Sequence, residues 1–383
     1  MSAEVINLNP DLKKLQDEGY ELEAHKDCAI IYNVPYLDAS LTVRYGVLVS
    51  PLFLSGDHVK YNNDHVMYFQ GDIPYRATGE RFLAVFNCEQ KKVFYGVETN
   101  IMLSNKPQGN YKNYYEKFTR YIQLLVSEAQ AVDSSVTAKT FKRVVVSENS
   151  VFNYVDTNAS RAGIMDVNEK LSGEVVGIIG LGGTGTYILD QVAKAPVSEI
   201  HLFDGDRFCQ HNAFRAPGAP NVEVFSQQMM KVDYFGQLYS QMHSGVVPHP
   251  FFIDETNLDE LRRMTFVFIA MDTGPSKKQI VEYLIQHSID FVDSGIDIHR
   301  VNSSLIGMTR ITAALGGDRS EVDQFISFAE PNEELYRSNV QTADLNALCA
   351  ITAVIKWKLV RGFYCDNVHN NNWVFTTNDG EIK

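Results

Sequence analysis

The 383-residue chain reads as an α/β protein, a Rossmann-like domain with a mainly parallel sheet, preceded by a smaller α+β domain. Three observations predict this. From about residue 174 onward, strand-like and helix-like segments alternate, the order that builds βαβ units on a parallel sheet. A glycine cluster, "GLGGTG", joins the first of those strands to a helix. Before about residue 150 the segments are short, β-branched and aromatic, and Pro, Gly, Asn and Asp punctuate them, as in antiparallel strands joined by turns. The length exceeds what one core usually holds, so the expected domains are 1–150 and 151–383.

In the first domain, "CAIIYNVPYL", "TVRYGVLVSPLFL", "HVMYFQGD" and "RFLAVFNCEQKKVFYGVE" are the predicted strands. "NYYEKFTRYIQLLVSEAQAV" is a predicted helix with Tyr115, Phe118, Ile122 and Leu125 on one face. In the second domain, a strand at 174–180 runs into the glycines, a helix at about 184–195 follows, and a strand at 199–204 comes next. A helix at about 226–242 carries Val232, Phe235, Tyr239 and Met242 on one side. Then come a strand near 248–253, the strand "TFVFIAMD", a helix at about 276–288 and the strand "DFVDSGI". "SSLIGMTRITAAL" breaks the alternation and is expected to pair antiparallel, and "QTADLNALCAITAVIKWKLVRGFY" reads as a long apolar helix packed back on the domain.

Composition narrows the class. Hydrophobic residues make up 45% and charged residues 21%, as in an ordinary globular protein. A net charge of −13 disfavours nucleic acid as the main partner and suits a basic protein. The five cysteines, Cys28, Cys88, Cys209, Cys349 and Cys365, are widely spaced and contain no C-x-x-C pair. That pattern fits reduced thiols in the cytoplasm better than a disulfide framework or a Cys₄ zinc site. "MSAEVINLNPDLKK" lacks the apolar core of a signal peptide, and no apolar run approaches the roughly 20 residues of a membrane span, so no membrane association is expected.

Gly180, Gly182, Gly183 and Gly185 lie between strand and helix, where missing Cβ atoms permit a tight turn and close approach of a phosphate. The helix N-terminus offers that anion free N–H groups and a positive dipole end. Asp204 ends the next strand, about 20 residues on, where a carboxylate can accept ribose hydroxyls. These features alone fit NAD, FAD, S-adenosylmethionine or ATP. The following "DGDRFCQHNAFR" is more selective. Asp206 adds a second acid, and Asn212 and Arg215, three apart, can reach one phosphate. A dinucleotide whose phosphates the glycines already cradle has little use for such a clamp.

GxGGxG, then DxD, then NxxR, resembles the ThiF/MoeB/ubiquitin-activating superfamily over about residues 155–362. The resemblance implies ATP-dependent adenylation of the C-terminal carboxylate of a ubiquitin-like or sulfur-carrier protein. Such a reaction would be the activating step of a bacterial conjugation or sulfur-transfer pathway. By position it implies roles for Arg161, reaching a dimer partner's ATP, for Lys231 on the phosphates, and for Asp272 beside Mg²⁺ and the α-phosphate. ATP and Mg²⁺ are the implied cofactors, and a homodimer is the implied assembly. The sequence departs from the family at Thr273, where Asn is usual, and lacks the Arg a few positions on, with Lys277 and Lys278 nearby. Many relatives pass the activated carboxylate to a thiolate. The candidates here are Cys209, Cys349 and Cys365, with Cys349 expected as a buried core thiol. His201 and His211 are expected to be structural. The first domain carries no chemical motif and is expected to recognise the substrate or a conjugating-enzyme-like partner, or to be itself conjugating-enzyme-like. Two readings compete: a ThiF-fold scaffold without activity, and a nicotinamide- or flavin-dependent oxidoreductase, which would leave Asp206, Asn212, Arg215 and Asp272 without work.

Overall fold

The computed structural model describes residues 2–25, 27–55, 58–82, 85–86, 91–106, 110–142, 150–154, 156–162, 164–329 and 340–382. Two compact units result, Met1–Asn149 with Tyr154–Arg161, and Ser150–Asn153 with Ala162–Lys383.

The first unit opens with helices α1 (Ser2–Asn7) and α2 (Pro10–Asp17). Its sheet holds β1 (Leu22–Ala24), β2 (Cys28–Leu37), β3 (Val43–Pro51), β4 (Val66–Gln70), β5 (Val85–Phe86) and β6 (Ile101–Ser104). The order is β1-β2-β3-β4-β6-β5, antiparallel throughout, as expected. Part of "RFLAVFNCEQKKVFYGVE", including Cys88, lies outside the described residues. The described part supplies β5 and a small hairpin, Lys92–Phe94 with Val97–Thr99. Helix α3 (Tyr114–Val132) packs on β2. Asn113 caps it, its side chain accepting the Glu116 N–H at 2.9 Å. The buried face runs through Tyr114, Phe118, Tyr121, Ile122 and Leu125. Tyr115, expected in that face, sits at its flank and donates its hydroxyl to Glu18 at 2.7 Å. An amphipathic tyrosine suits such an edge, because its ring packs while its oxygen stays wet.

The second unit is built on a seven-stranded sheet. It contains β7 (Val175–Ile179), α4 (Gly183–Val192), β8 (Glu199–Phe203), α5 (Lys231–Tyr239), β9 (Val246–His249) and β10 (Phe266–Ile269). It continues with α6 (Pro275–Gln286), β11 (Asp290–Val301), β12 (Ser304–Ala314), α7 (Ala343–Val360) and β13 (Asn372–Thr376). The strand order is β9-β8-β7-β10-β11-β12-β13. The first five are parallel, and β12 and β13 are antiparallel, the former as the sequence predicts. The chain leaves β7 toward β8 and β9, then crosses to β10 on the other side. The crevice beyond the carboxyl ends of β7 and β10 is therefore a topological switch point, where open α/β sheets bind ligands.

Three boundaries differ from expectation, each for a local reason. The strand near 248–253 is Val246–His249, because the chain leaves the sheet at Pro250, with the Phe251 N–H returning to the His249 carbonyl. The helix at about 226–242 is broken, since Gln228 adopts a left-handed φ of 48° and α5 starts only at Lys231. In its place residues 229–231 pair with 206–208, Phe208 N–H to Met229 O and Lys231 N–H to Asp206 O, both at 2.9 Å. The strand "DFVDSGI" extends to Val301, where a two-residue turn with Asn302 at φ 56° returns it as β12. Helix α7 packs on α4, β11 and β12 and is apolar around most of its circumference, as a helix covered on several sides must be. Arg361, just after it, ties the opposite end of the sheet, donating to Glu174 (2.9 Å), Asp290 (2.6 Å) and the Thr265 carbonyl (2.8 Å).

Candidate nucleotide site

The glycine turn between β7 and α4 is shaped by backbone contact. Gly180 has φ 89°, and a Cβ there would lie 2.5 Å from the Ala270 carbonyl oxygen of the neighbouring strand end. A Cβ on Gly185 would strike the Gly180 carbonyl, and one on Gly183 would strike the Asn346 carboxamide. Gly182 differs: nothing lies within 4 Å of its missing Cβ. Its space belongs to a cavity of about 1140 Å³ that Gly180, Gly182, Gly183 and Thr184 line. Helix α4 begins at this wall with no side-chain cap and no acid in its first turn. Free N–H groups and the positive end of the helix dipole therefore face the cavity.

Opposite stand the acids and cations predicted from "DGDRFCQHNAFR" and its surroundings. Asp204, 4% exposed, accepts the Leu181 N–H at 2.7 Å and the Asp206 N–H at 2.8 Å. It thus pins the glycine turn to the end of β8. The Lys231 ammonium lies 3.3 Å from Asp204 and 2.7 Å from Asp206. Burying a carboxylate without such partners would be costly. The Asp206 side chain is 58% exposed at the cavity edge. Arg215 lines the cavity, and its buried Nε has no hydrogen-bond partner among the described residues. Asp272 lies in the loop from β10 to α6, exposed on the cavity side and without an ion pair among the described residues.

Not every predicted residue joins them. The Asn212 carboxamide is buried and accepts the Cys209 N–H at 2.8 Å, closing the short helix Gln210–Ala213. Its carbonyl takes the Arg215 N–H at 3.1 Å, so it reaches the cavity through Arg215. Arg161 lies in the helix Thr157–Ala162, and its side chain falls outside the described residues. Cys349 is fully buried, its thiol pushed up to about 12 chiefly by burial, which removes it as a thiolate nucleophile. Cys209 and Cys365 are exposed, and neither lines the cavity. His201 is buried between Glu199 and His249, 2.8 Å from each, and His211 is exposed. Among the described residues no cluster of three or more His, Cys, Asp or Glu is placed to hold a metal, and no helix is long and apolar enough to cross a membrane.

The structure adds residues that the sequence reading left without a role. Asn346 of α7, 1% exposed, accepts the Thr184 hydroxyl at 3.0 Å and abuts Gly183. Lys277 and Arg310 line the cavity and share the buried Asp293. The available signal was a charge inside a largely apolar strand, Asp293 in "DFVDSGI" and Arg310 in "LIGMTRITAAL".

The fold is that of an open α/β domain with a cavity at its switch point. The chain belongs to the ThiF family, whose model matches residues 156–357. Residues 10–157 match a domain of unknown function, DUF6791. No curated protein matches the chain. Among solved structures it is similar to E. coli MccB with ATP, at 17% identity over 60% of this chain and 71% of that one, TM-score 0.47. It is also similar to E. coli MccB with MccA-N7isoASN (16%, 59% and 68%, TM-score 0.45) and to PaaA (15%, 74% and 91%, TM-score 0.46).

Proposed function

We propose that the chain is an ATP-dependent adenylyltransferase that activates the C-terminal carboxylate of a ubiquitin-like or sulfur-carrier protein. The observation that carries this reading is the meeting, in one cavity at the switch point, of the glycine turn, Arg215, Lys231 and Asp272, which has no ion pair among the described residues. A dinucleotide oxidoreductase would use the first of these and leave the others idle.

In this reading the triphosphate lies along the glycine turn and the α4 N-terminus, with Asp204 and Asp206 toward the ribose. A carboxylate oxygen of the carrier attacks the α-phosphorus. The bond from that phosphorus to the bridging oxygen breaks, and pyrophosphate leaves with the electron pair. No general base is needed, because the carboxylate is already ionised near neutral pH. Both reactants are anionic, so the protein's task is charge neutralisation and in-line positioning. Arg215 and Lys231, with Arg161 from a second subunit of a homodimer, take up the developing charge. Asn212 orients the phosphate by holding the turn that presents Arg215. Mg²⁺ is typically held by one or two carboxylates, waters and substrate phosphates rather than by an all-protein cage, and the exposed Asp272 fits that habit. When bound it would supply further neutralisation across the phosphates. The first unit would recognise the carrier or a conjugating-enzyme-like partner.

Thermal unfolding tests the nucleotide assignment. ATP with Mg²⁺ at about a hundred times its Kd should stabilise the second unit by about 2.7 kcal/mol, or roughly 5–11 °C, and NADH should not. A shift with NADH and none with ATP would return the site to the oxidoreductase reading.

A further inference from the structure

We propose that the same cavity holds a second anion subsite, built by Lys277 and Arg310 around Asp293, that takes the free carboxylate at the end of the acyl substrate. The proposal rests on the adenylation reading and names where its second anion docks.

The charges do not balance. Asp293 is completely buried on β11. Its Oδ1 lies 2.5 Å from the Lys277 ammonium and its Oδ2 lies 2.6 Å from the Arg310 guanidinium. Lys277 is itself 2% exposed. One carboxylate thus faces two cations, and among the described residues no second carboxylate is within ion-pair distance of either. An excess positive charge below the surface is costly unless an anion completes it.

Placement makes the excess larger. Lys277 lies in the first turn of α6, at the positive end of its dipole, and that turn contains no acid. A structural lysine would be better placed at the other end of the helix. Arg310 reaches Asp293 past Gly295, where a Cβ would come within 3.1 Å of the guanidinium, so a side chain there would crowd the fork. Its other terminal NH₂ group donates to the Thr312 hydroxyl. Both cations line the cavity, as does Asn346, whose buried amide nitrogen has no partner among the described residues.

A cavity that must hold a triphosphate and a carboxylate together needs separate neutralisation for each. The glycine turn with Arg215 and Lys231 serves one. The α6 N-terminus with Lys277 and Arg310 supplies a second set on different elements. Arginine with a helix N-terminus can bind a planar carboxylate through paired donors. Asp293 then acts as a positioning residue that holds both cations in place.

The test uses the full chain with Mg²⁺ and α,β-methylene-ATP, whose carbon α–β bridge does not break, so that no adenylyl group is transferred. The probes are fluorescein-labelled hexaglycine ending in a free carboxylate and the same peptide ending in a carboxamide, read by anisotropy. The free acid should bind at least about tenfold tighter, as one charge-assisted hydrogen bond would give. Lys277→Met and Arg310→Met should each bring that ratio toward one while a fluorescent ATP analogue still binds. Arg310→Lys, which keeps the charge, should retain part of the preference and guards against a folding defect. Equal binding of acid and amide by the unsubstituted chain would overturn the proposal. So would a ratio that survives both methionine variants, or no binding of the free acid at millimolar peptide while nucleotide binds. Failure of the nucleotide itself to bind would instead remove the adenylation reading beneath it.

Discussion

Asp204 and Asp272 both follow strand ends, yet their surroundings assign them different work. Asp204 is buried and spends its oxygens on two backbone N–H groups and Lys231. Asp272 is exposed and has no ion pair among the described residues. Asp272→Ala should therefore leave ATP affinity within a few-fold and lower adenylate formation by about 100-fold or more, the scale of one lost electrostatic contact in a transition state. Isothermal titration and a single-turnover assay separate the two, and equal loss of binding and chemistry would remove the role given to Asp272. At this scale the sequence was legible where function is linear. The glycines, Asp204, Asp206, Arg215, Lys231 and Asp272 stand at spacings along one chain segment or at strand ends, and the fold gathers them. Asn346 and Arg310 were not legible as site residues. Each reaches the cavity from an element far along the chain, and packing alone brings it there.

At the scale of elements, the glycine turn offers an internal control. Gly180 has a left-handed φ and no room for a Cβ, so Gly180→Ala should destabilise the second unit by about 1–3 kcal/mol in urea unfolding. Gly182 has a negative φ and open space, so Gly182→Ala should leave stability within about 0.5 kcal/mol while weakening nucleotide binding. Equal destabilisation by both would mean that the turn is not shaped as described. Helix α3 carries a second element-scale consequence. Lys117 is fully buried, with its ammonium 2.9 Å from the Ser50 hydroxyl and 3.5 Å from Asp64, and burial pushes its pKa down to about 8. The unfolded chain holds that proton to about 10.4. Between those values the unfolded state binds more protons, so stability of the first unit rises with pH. From pH 8 to 9.5 the gain should be about 1–2 kcal/mol by denaturant titration, and Lys117→Met should abolish it. A flat profile in the unsubstituted chain would contradict this. Two of the element boundaries that differ from the periodicity fall where one left-handed residue or proline intervenes, and the third is a strand that its hairpin partner extends. Gln228 and Pro250 each redirected a segment whose hydrophobic pattern ran on past them.

For the whole molecule, the sequence changes character near residue 150, while the contact units interleave between residues 150 and 162. The second unit was legible as an α/β domain because alternation of strand and helix dictates parallel pairing, and right-handed crossovers leave few topologies. The first unit was legible as antiparallel but not in its short pieces. Strands of three or four residues, such as β1 and β6, carry too little pattern to be seen without their partners. The central claim concerns the second unit in the intact chain: that it adenylates a carrier's carboxylate. ATP–pyrophosphate exchange with Mg²⁺, measured with and without candidate ubiquitin-like or sulfur-carrier proteins, tests it most directly. The account predicts exchange that depends on one such protein and is lost in Arg215→Ala. ATP binding without exchange in the presence of every candidate would contradict it and favour the scaffold reading.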